Sequence, residues 1–487
     1  MNEDSSIVHS IKWSGFGEIG VKLVSPVVTI ILARILSPEA FGVIAICNML
    51  VSFVDIIVDA GFSKYLIQAN FKSNAEYKEN ADVAFWTQTI ISIIIWLLIL
   101  LCKDNIAIIL GNPEYSNVIV IASIQLILVS LISTHTALLR RDFEFKKLFK
   151  VRISTAIIPL FVSVPFAIAL KSYWALIIGN LASALVNVII LFLVSTWRPS
   201  AFFSFKVLKN MWSFSFWSMC EGLAHWTIFW IDIFIIGRIY SAYYVGLYKN
   251  STHIVYSLIG MVTAAMSPVL LSSLSRIRNI EQSNNLLYII EKAFMYILLP
   301  LGIIAFFYPE FFTLIILGRK WMESSEILGL WSIMMVISIF IYSFPAEAFK
   351  SRGIPKILFL YQISYLCFII PICWYFANIN FWSFVYARVG CIIFQIILFI
   401  IFSKIFLEWS IAKYVNKIMK PLSLALIIIV FCYVYHLHIN DNTDIPIQII
   451  SIIISILFYL LTAFILYKKD IITTFSELKK IKNNSPL

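Results

Sequence analysis

Apolar residues run along this chain in blocks of about 20 to 30, separated by short polar breaks. Within a block the apolar positions are continuous rather than alternating, which excludes the two-residue period of a membrane β-barrel. The blocks predict fourteen helices, over residues 13–36, 41–62, 82–102, 117–139, 151–170, 173–194, 210–237, 243–273, 286–307, 324–347, 357–376, 380–403, 415–437 and 446–467. A helix crosses the hydrocarbon core of a bilayer with about 20 apolar residues. The expected fold class is therefore an all-α polytopic integral membrane protein with about fourteen transmembrane helices. The eighth block is too long for one straight span and is expected to extend beyond the bilayer.

Composition agrees with the pattern. Of 487 residues, 61% are hydrophobic and 13% charged, against roughly 45–50% and 25% in soluble domains. This excludes a soluble enzyme, a nucleic-acid-binding module and a disordered chain. No polar stretch is long enough to build a large globular head. The net charge of +11 reads as loop charge, because Lys and Arg concentrate in the cytoplasmic connections of membrane proteins. With the N-terminus placed inside, 28 of the 37 Lys and Arg fall on the inner side and 6 on the outer. Both termini are expected to be cytoplasmic. The opening MNEDSSIVHSIKW is acidic and lacks the pattern of a cleaved signal peptide, so the first span is expected to be retained. The seven cysteines are scattered without a C-x-x-C pair, which points to small apolar packing residues rather than to disulfides or a metal site.

The chain carries a weak internal repeat. Ala33-Arg34-Ile35-Leu36-Ser37-Pro38-Glu39-Ala40-Phe41-Gly42 aligns with Gly237-Arg238-Ile239-Tyr240-Ser241-Ala242-Tyr243-Tyr244-Val245-Gly246 at an offset of 204, which also lays Trp13 on Trp217. Ala137-x-x-x-Arg141 resembles Ala348-x-x-x-Arg352 at 211, and Gly111 matches Gly318 at 207. An offset of six spans gives two copies of the same orientation, related by an axis along the membrane normal, as in parallel-repeat transporters. The expected organisation is an N-terminal six-helix lobe (1–195), a cytoplasmic linker (196–209) and a C-terminal six-helix lobe (210–404). Two further helices and a basic tail follow (405–487).

Ionisable groups inside spans are costly and usually face a cavity. Glu18, Lys22, Ser25 and Thr29 share one helical face of span one. Asn48, Ser52, Asp55 and Asp59 do so in span two. Glu221, His225 and Asp232 line one face of span seven, and Lys249 and His253 one face of span eight. Lys22, Lys249 and Arg388 are the deep basic positions and the candidate substrate-binding charges. Arg34 and Arg238, near span ends, are weaker candidates that compete with an interfacial anchoring role. Glu18, Asp55, Glu221, His225 and Asp232 are candidates for proton or sodium coupling. Glu221 and His225 lack a third metal ligand, so no metal or other cofactor is expected. No phosphate-binding loop, nucleophile elbow or H-E-x-x-H motif occurs, which disfavours ATP-driven transport and hydrolytic chemistry within the chain.

Two stretches carry a family likeness. One joins Leu36-Ser37-Pro38-Glu39-Ala40-Phe41-Gly42 to Asp59-Ala60-Gly61-Phe62-Ser63-Lys64-Tyr65-Leu66-Ile67-Gln68. The other is Leu138-Leu139-Arg140-Arg141-Asp142-Phe143-Glu144-Phe145-Lys146-Lys147-Leu148. Together they resemble the polysaccharide exporters (Wzx-type O-antigen and capsule flippases) of the multidrug/oligosaccharidyl-lipid/polysaccharide exporter superfamily. The resemblance implies a non-enzymatic flippase of the bacterial inner membrane. It implies alternating access that moves undecaprenyl-pyrophosphate-linked oligosaccharide to the outer leaflet, with a polymerase and a chain-length regulator as partners and no role for nucleic acid. Lys22, Lys249 and Arg388 would then hold the pyrophosphate. The alternatives are a drug or cation antiporter of the same superfamily and, less favoured, a membrane-embedded glycan polymerase.

Overall fold

The computed structural model describes residues 24–277, 279–439 and 445–484. Among the described residues all regular structure is helical. The chain divides into two compact units, Met1–Asn250 and Ser251–Leu487. The first holds α1 (described over Val24–Ile35), α2 (Pro38–Asp59), α3 (Phe62–Gln68), α4 (Asn74–Leu101), α5 (Lys103–Ile109), α6 (Ser116–Arg141), α7 (Phe145–Phe161), α8 (Ser163–Leu170), α9 (Trp174–Val194) and α10 (Phe205–Ile239). Helix α11 (Ala242–Arg276) begins in this unit. The second unit holds α12 (Ile280–Phe307), α13 (Pro309–Ile316), α14 (Ser325–Ser338), α15 (Phe344–Ser351), α16 (Pro355–Ala377), α17 (Phe381–Gly390), α18 (Ile392–Phe406), α19 (Ile411–Ile439) and α20 (Ile445–Asn484).

Thirteen helical stretches among the described residues are long and apolar enough to cross a membrane, and Val24–Ile35 is a shorter apolar helix. These match the fourteen expected spans one for one, Val24–Ile35 being the described part of the first. Apolar side chains stand exposed along them, with Leu101 at 79%, Leu193 at 76% and Ile465 at 67%. Such a surface is stable only against lipid. The helices start earlier than hydropathy suggests where a cap fixes them. Ser73 Oγ accepts from the Glu76 amide at 3.1 Å and Glu76 Oε2 accepts from the Lys72 amide at 2.7 Å, so α4 begins eight residues before its apolar run. Asn279 caps α12, which begins six residues before its apolar run, and Asn380 caps α17, which begins with its run. Interruptions come a few residues before proline. Pro165 cannot donate to Phe161, and the helix is interrupted at Val162, between α7 and α8. Pro345 lies just after the widened turn Ile339–Ser343, which joins α14 to α15.

In the first unit α6 packs against α2, α3, α4 and α9. Phe62, Leu66, Phe85, Leu138 and Trp197 form its core at the C-terminal end of α2. His135 lies buried among the rings of Phe85, Phe192 and Trp197. The segment before α10 is tied down: Asp82 accepts from the Ser200 amide at 3.1 Å and Trp86 Nε1 donates to the Ser200 carbonyl at 2.6 Å.

In the second unit α12 is the central helix, packed by α14, α19 and α20. Asp470 on α20 accepts from Lys292 and Lys420, each at 2.6 Å, and from the Tyr296 hydroxyl at 2.9 Å. One carboxylate thus fastens the last two helices to α12. Asn284 is a second junction, accepting from Arg352 at 2.6 Å and from Trp409 Nε1 at 2.8 Å.

Arg141 does for α3 what no cap residue does. Its Nη1 donates to the carbonyls of Leu66, Ile67 and Ala69 at 2.8, 3.2 and 2.7 Å, and its guanidinium lies over the Phe71 ring. These are carbonyls that the end of a helix leaves without partners. In the adjoining loop, burial raises the Asp142 carboxyl above its ordinary range, against the pull of Arg141. Replacing Arg141 with Ala should destabilise the protein by about 2 kcal/mol or more, because charged donors are lost from helix-end carbonyls. Arg141→Lys should recover only part, keeping charge without the planar fork. Melting of the purified protein in detergent checks this; an Arg141→Ala protein that melts with the wild type would contradict it.

Candidate functional site

Helix α2 carries a different device at each end. At its N-terminal end it meets the start of α11 backbone to backbone. A Cβ built on Gly42 would lie 1.6 Å from the Ala242 carbonyl oxygen, and one built on Gly246 would lie 1.8 Å from the Pro38 carbonyl oxygen. Only glycine permits that approach. The contact is reciprocal at the repeat offset, since Pro38 and Gly42 correspond to Ala242 and Gly246. Around it the end is laced shut: Asn112 Nδ2 donates to the Gly237 carbonyl at 2.9 Å, Arg238 donates to the Ile108 carbonyl, and the Tyr115 hydroxyl donates to Glu39 at 2.9 Å.

At its C-terminal end α2 opens onto a pocket of about 320 Å³ lined by Asp55, Asp59, Ser63, Lys64, Ser133 and Arg140 among others. The local sequence builds it. Ala60 and Gly61 both take left-handed backbone angles, φ 43° and 80°, and reverse the chain so that α3 starts beside the end of α2. Gly61 is required twice over, because a Cβ there would also lie 2.7 Å from the Ser215 carbonyl oxygen on α10. The turn returns Ser63 Oγ to Asp59 Oδ1 at 2.6 Å. Ser133 on α6 and Gln88 on α4 donate to the same oxygen, each at 2.9 Å. Lys64 pairs with Glu221 on α10 at 2.9 Å. One turn from Asp55, Trp226 Nε1 donates to Ser52 Oγ at 2.9 Å and its ring packs on Phe53, holding α10 along α2. The seam and the pocket lie about 25 Å apart on one rigid helix.

The expected site residues fall in several places. Glu18 and Lys22 lie outside the described residues, as does Trp13 of the repeat. Asp55 lines the pocket, and Glu221 joins it through Lys64. His225 is exposed on α10 and packs against Phe229. Asp232 is buried and accepts from the Tyr248 hydroxyl at 2.7 Å. Lys249, in the field of Asp232, places Nζ 3.9 Å from the Trp230 ring centroid. These four residues of α10 and α11 form a second charged cluster. Arg388 is buried in the second unit, donating to the Tyr365 hydroxyl at 3.1 Å and lying over Trp331. Arg34 and Arg238 are exposed, Arg238 at the laced end of α2. Among the described residues no group of three His, Cys, Asp or Glu could hold a metal ion. The sequence pattern names Asp59 only as one of four polar residues on a face of span two and gives no role to Ser63, Gln88 and Ser133. The i, i+4 spacing of Asp59 and Ser63 across a glycine turn was the available signal.

These features define a multi-pass, all-helical membrane protein with a charged pocket sunk among its spans. The family model for polysaccharide biosynthesis proteins matches residues 31–326 of the 487, and the chain belongs to that family. It is 24% identical over 326 residues to a membrane protein of the cps region of Klebsiella pneumoniae, covering 65% of either chain. It is also 24% identical over 326 residues to the succinoglycan biosynthesis transport protein ExoT of Rhizobium meliloti, covering 67% of this chain and 65% of that one. The match thus spans 65% of the length of these two curated relatives. Among solved structures, the lipid II flippase MurJ in an inward closed conformation shares the fold with a TM-score of 0.75. That likeness covers 95% of this chain and 100% of MurJ at 15% identity. The eukaryotic MATE transporter AtDTX14 shares it less closely, at TM-score 0.55 and 14% identity over 86% of this chain and 100% of that one.

The seam carries its own prediction. Ile46 lies one turn beneath Gly42 and is 2% exposed. In a cysteine-free background, Ile46→Cys should be protected from a bulky maleimide in detergent. Adding Gly42→Val should force α2 and α11 apart and raise the labelling rate at least about tenfold, the equilibrium equivalent of 1.4 kcal/mol. Equal rates with and without the valine would contradict a glycine-dependent seal.

Proposed function

We propose that this protein is a flippase that moves a lipid-linked oligosaccharide from the cytoplasmic to the outer leaflet of a bacterial inner membrane, for surface polysaccharide synthesis. The observation that carries the reading is the asymmetry of α2, closed at one end by a backbone seam and open at the other onto a charged pocket. A path sealed on one side and accessible on the other is one state of an alternating-access carrier. Lys and Arg bias makes the pocket end cytoplasmic and the seam end external, with both termini inside.

The two six-helix lobes are residues 1–195 and 210–404, and in this reading their equivalent helices meet at Gly42 and Gly246. Lys22, Lys249 and Arg388 hold the pyrophosphate as charge-assisted donors, with Arg34 and Arg238 at the outer margin. Glu18, Asp55, Glu221, His225 and Asp232 are the groups through which a proton or sodium gradient would drive the cycle. Family membership and the printed role of ExoT in succinoglycan biosynthesis transport support the glycan substrate. A polymerase and a chain-length regulator are the expected partners downstream. The MATE fold likeness, together with the carboxylates of the pocket, favours a cation antiporter as the second reading.

Deleting the gene should make lipid-linked oligosaccharide accumulate on the cytoplasmic leaflet while surface polysaccharide disappears; an antiporter would leave both unchanged. Lys249→Ala and Arg388→Ala should each lower surface glycan at least about tenfold, since each removes a charged hydrogen bond, with normal protein in the membrane. Arg388→Lys should retain part of the activity. Normal export by both alanine variants would make these residues structural.

A further inference from the structure

We propose that the Asp55–Asp59 pocket is the subsite that reads the sugar end of the transported molecule, taking the hydroxyl groups of a neutral glycan ring rather than the pyrophosphate. This rests on the flippase reading and adds to it a recognition chemistry at a named place, with Asp55 reading sugar in place of the coupling role given to it above.

Some polar groups in the pocket are already engaged and others are not. Asp59 Oδ1 accepts from Ser63, Ser133 and Gln88, three donors from three different helices, at 2.6 to 2.9 Å. That orients the carboxylate rigidly. Among the described residues Asp59 Oδ2 accepts no hydrogen bond, and Asp55 has neither a hydrogen bond nor an ion pair, although both residues line the pocket. The two cations of the lining, Lys64 and Arg140, are engaged as well. Lys64 is paired with Glu221 at 2.9 Å, and Arg140 has partners of its own. What the pocket offers a ligand is therefore carboxylate oxygen from two residues one helical turn apart, Asp59 held by its three donors, with the unpartnered Ser218 hydroxyl in the same lining. An anion would meet those two like charges beside cations that are already engaged. A ring bearing hydroxyls would donate to them, and hydrogen bonds to a charged acceptor are among the stronger ones available in water.

The walls fit the same ligand. Gly61 and Gly222 keep the floor low, and Ile56 and Ile132 offer apolar surface to the C–H face of a ring. The volume of about 320 Å³ lies at the lower end of small-molecule sites, which run from roughly 300 to 1,000 Å³. A sugar ring or two fits that scale, and a long glycan does not.

The test uses the full chain in nanodiscs and two probes. One is undecaprenyl pyrophosphate carrying the host's repeat-unit oligosaccharide, extracted from the deletion strain; the other is bare undecaprenyl pyrophosphate. The wild type should bind the glycan-bearing probe at least about tenfold more tightly, as expected from hydrogen bonds to a charged group. Asp55→Asn and Asp59→Asn should each erase most of that preference while binding the bare probe as before. Asp55→Asn disturbs no described hydrogen bond, so it keeps the test valid if Asp59→Asn folds poorly. Retention of the preference by Asp55→Asn, or equal weakening of both probes, would overturn the sugar-reading role. A wild-type response to sodium that Asp55→Asn abolishes, without a glycan preference, would also overturn it and make the pocket a cation site. Binding of neither probe to the wild type would overturn the flippase reading itself, and this subsite with it.

Discussion

A hydrocarbon solvent offers no hydrogen-bond partners, so every backbone and side-chain polar group within the spans must be satisfied by the protein or face a polar cavity. That constraint organises what the side chains do here. Ser73, Asn279 and Asn380 satisfy helix starts. Arg141 closes three carbonyls around the end of α3. Asp470 gathers two lysines and a tyrosine on α12, α19 and α20. Among the described residues, the Asp55 carboxylate and the second oxygen of Asp59 are unengaged and line a pocket, whereas other unpartnered groups such as His135 and Glu291 are buried in packed interior.

The same helix that presents those carboxylates ends, about 25 Å away, at the glycine contact with α11. Close backbone approach is how membrane helices associate without a hydrophobic driving force between them. A helix held at the pocket by Ser63, Ser133 and Gln88, and at the seam by backbone contact and the Tyr115–Glu39 hydrogen bond, is suited to carry a change at one end to the other. Ligand contacts at the pocket can shift that balance only to the extent that they differ between the two states.

Much of the fold was legible in the sequence. Continuous apolar blocks mark thirteen spans and part of another, and the 204-residue offset aligns Gly42 with Gly246, which meet where α2 approaches α11. Span starts were less legible, because capping at Ser73 and Asn279 carries helices through polar residues that hydropathy discounts. The site was legible only in outline. Asp55 was visible as a charge in a span, and Asp232 and Lys249 as charges on neighbouring helices. Asp59 stood out only as one of four polar residues on a face of span two, because its meaning comes from Gln88 and Ser133, which tertiary packing brings from α4 and α6. Arg141 was visible as part of a basic stretch, but the carbonyls it closes belong to a helix some seventy residues earlier in the chain.

In the proposed cycle the polar headgroup of a lipid-linked oligosaccharide passes through this protein. The most direct measurement reconstitutes the purified chain into liposomes holding a radiolabelled lipid-linked oligosaccharide in both leaflets, then adds a membrane-impermeant glycan-cleaving reagent outside. With protein present, inner-leaflet glycan should reach the outside and be consumed with time until little remains intact. Consumption that stops at the outer leaflet's share, as in protein-free liposomes, would contradict the account.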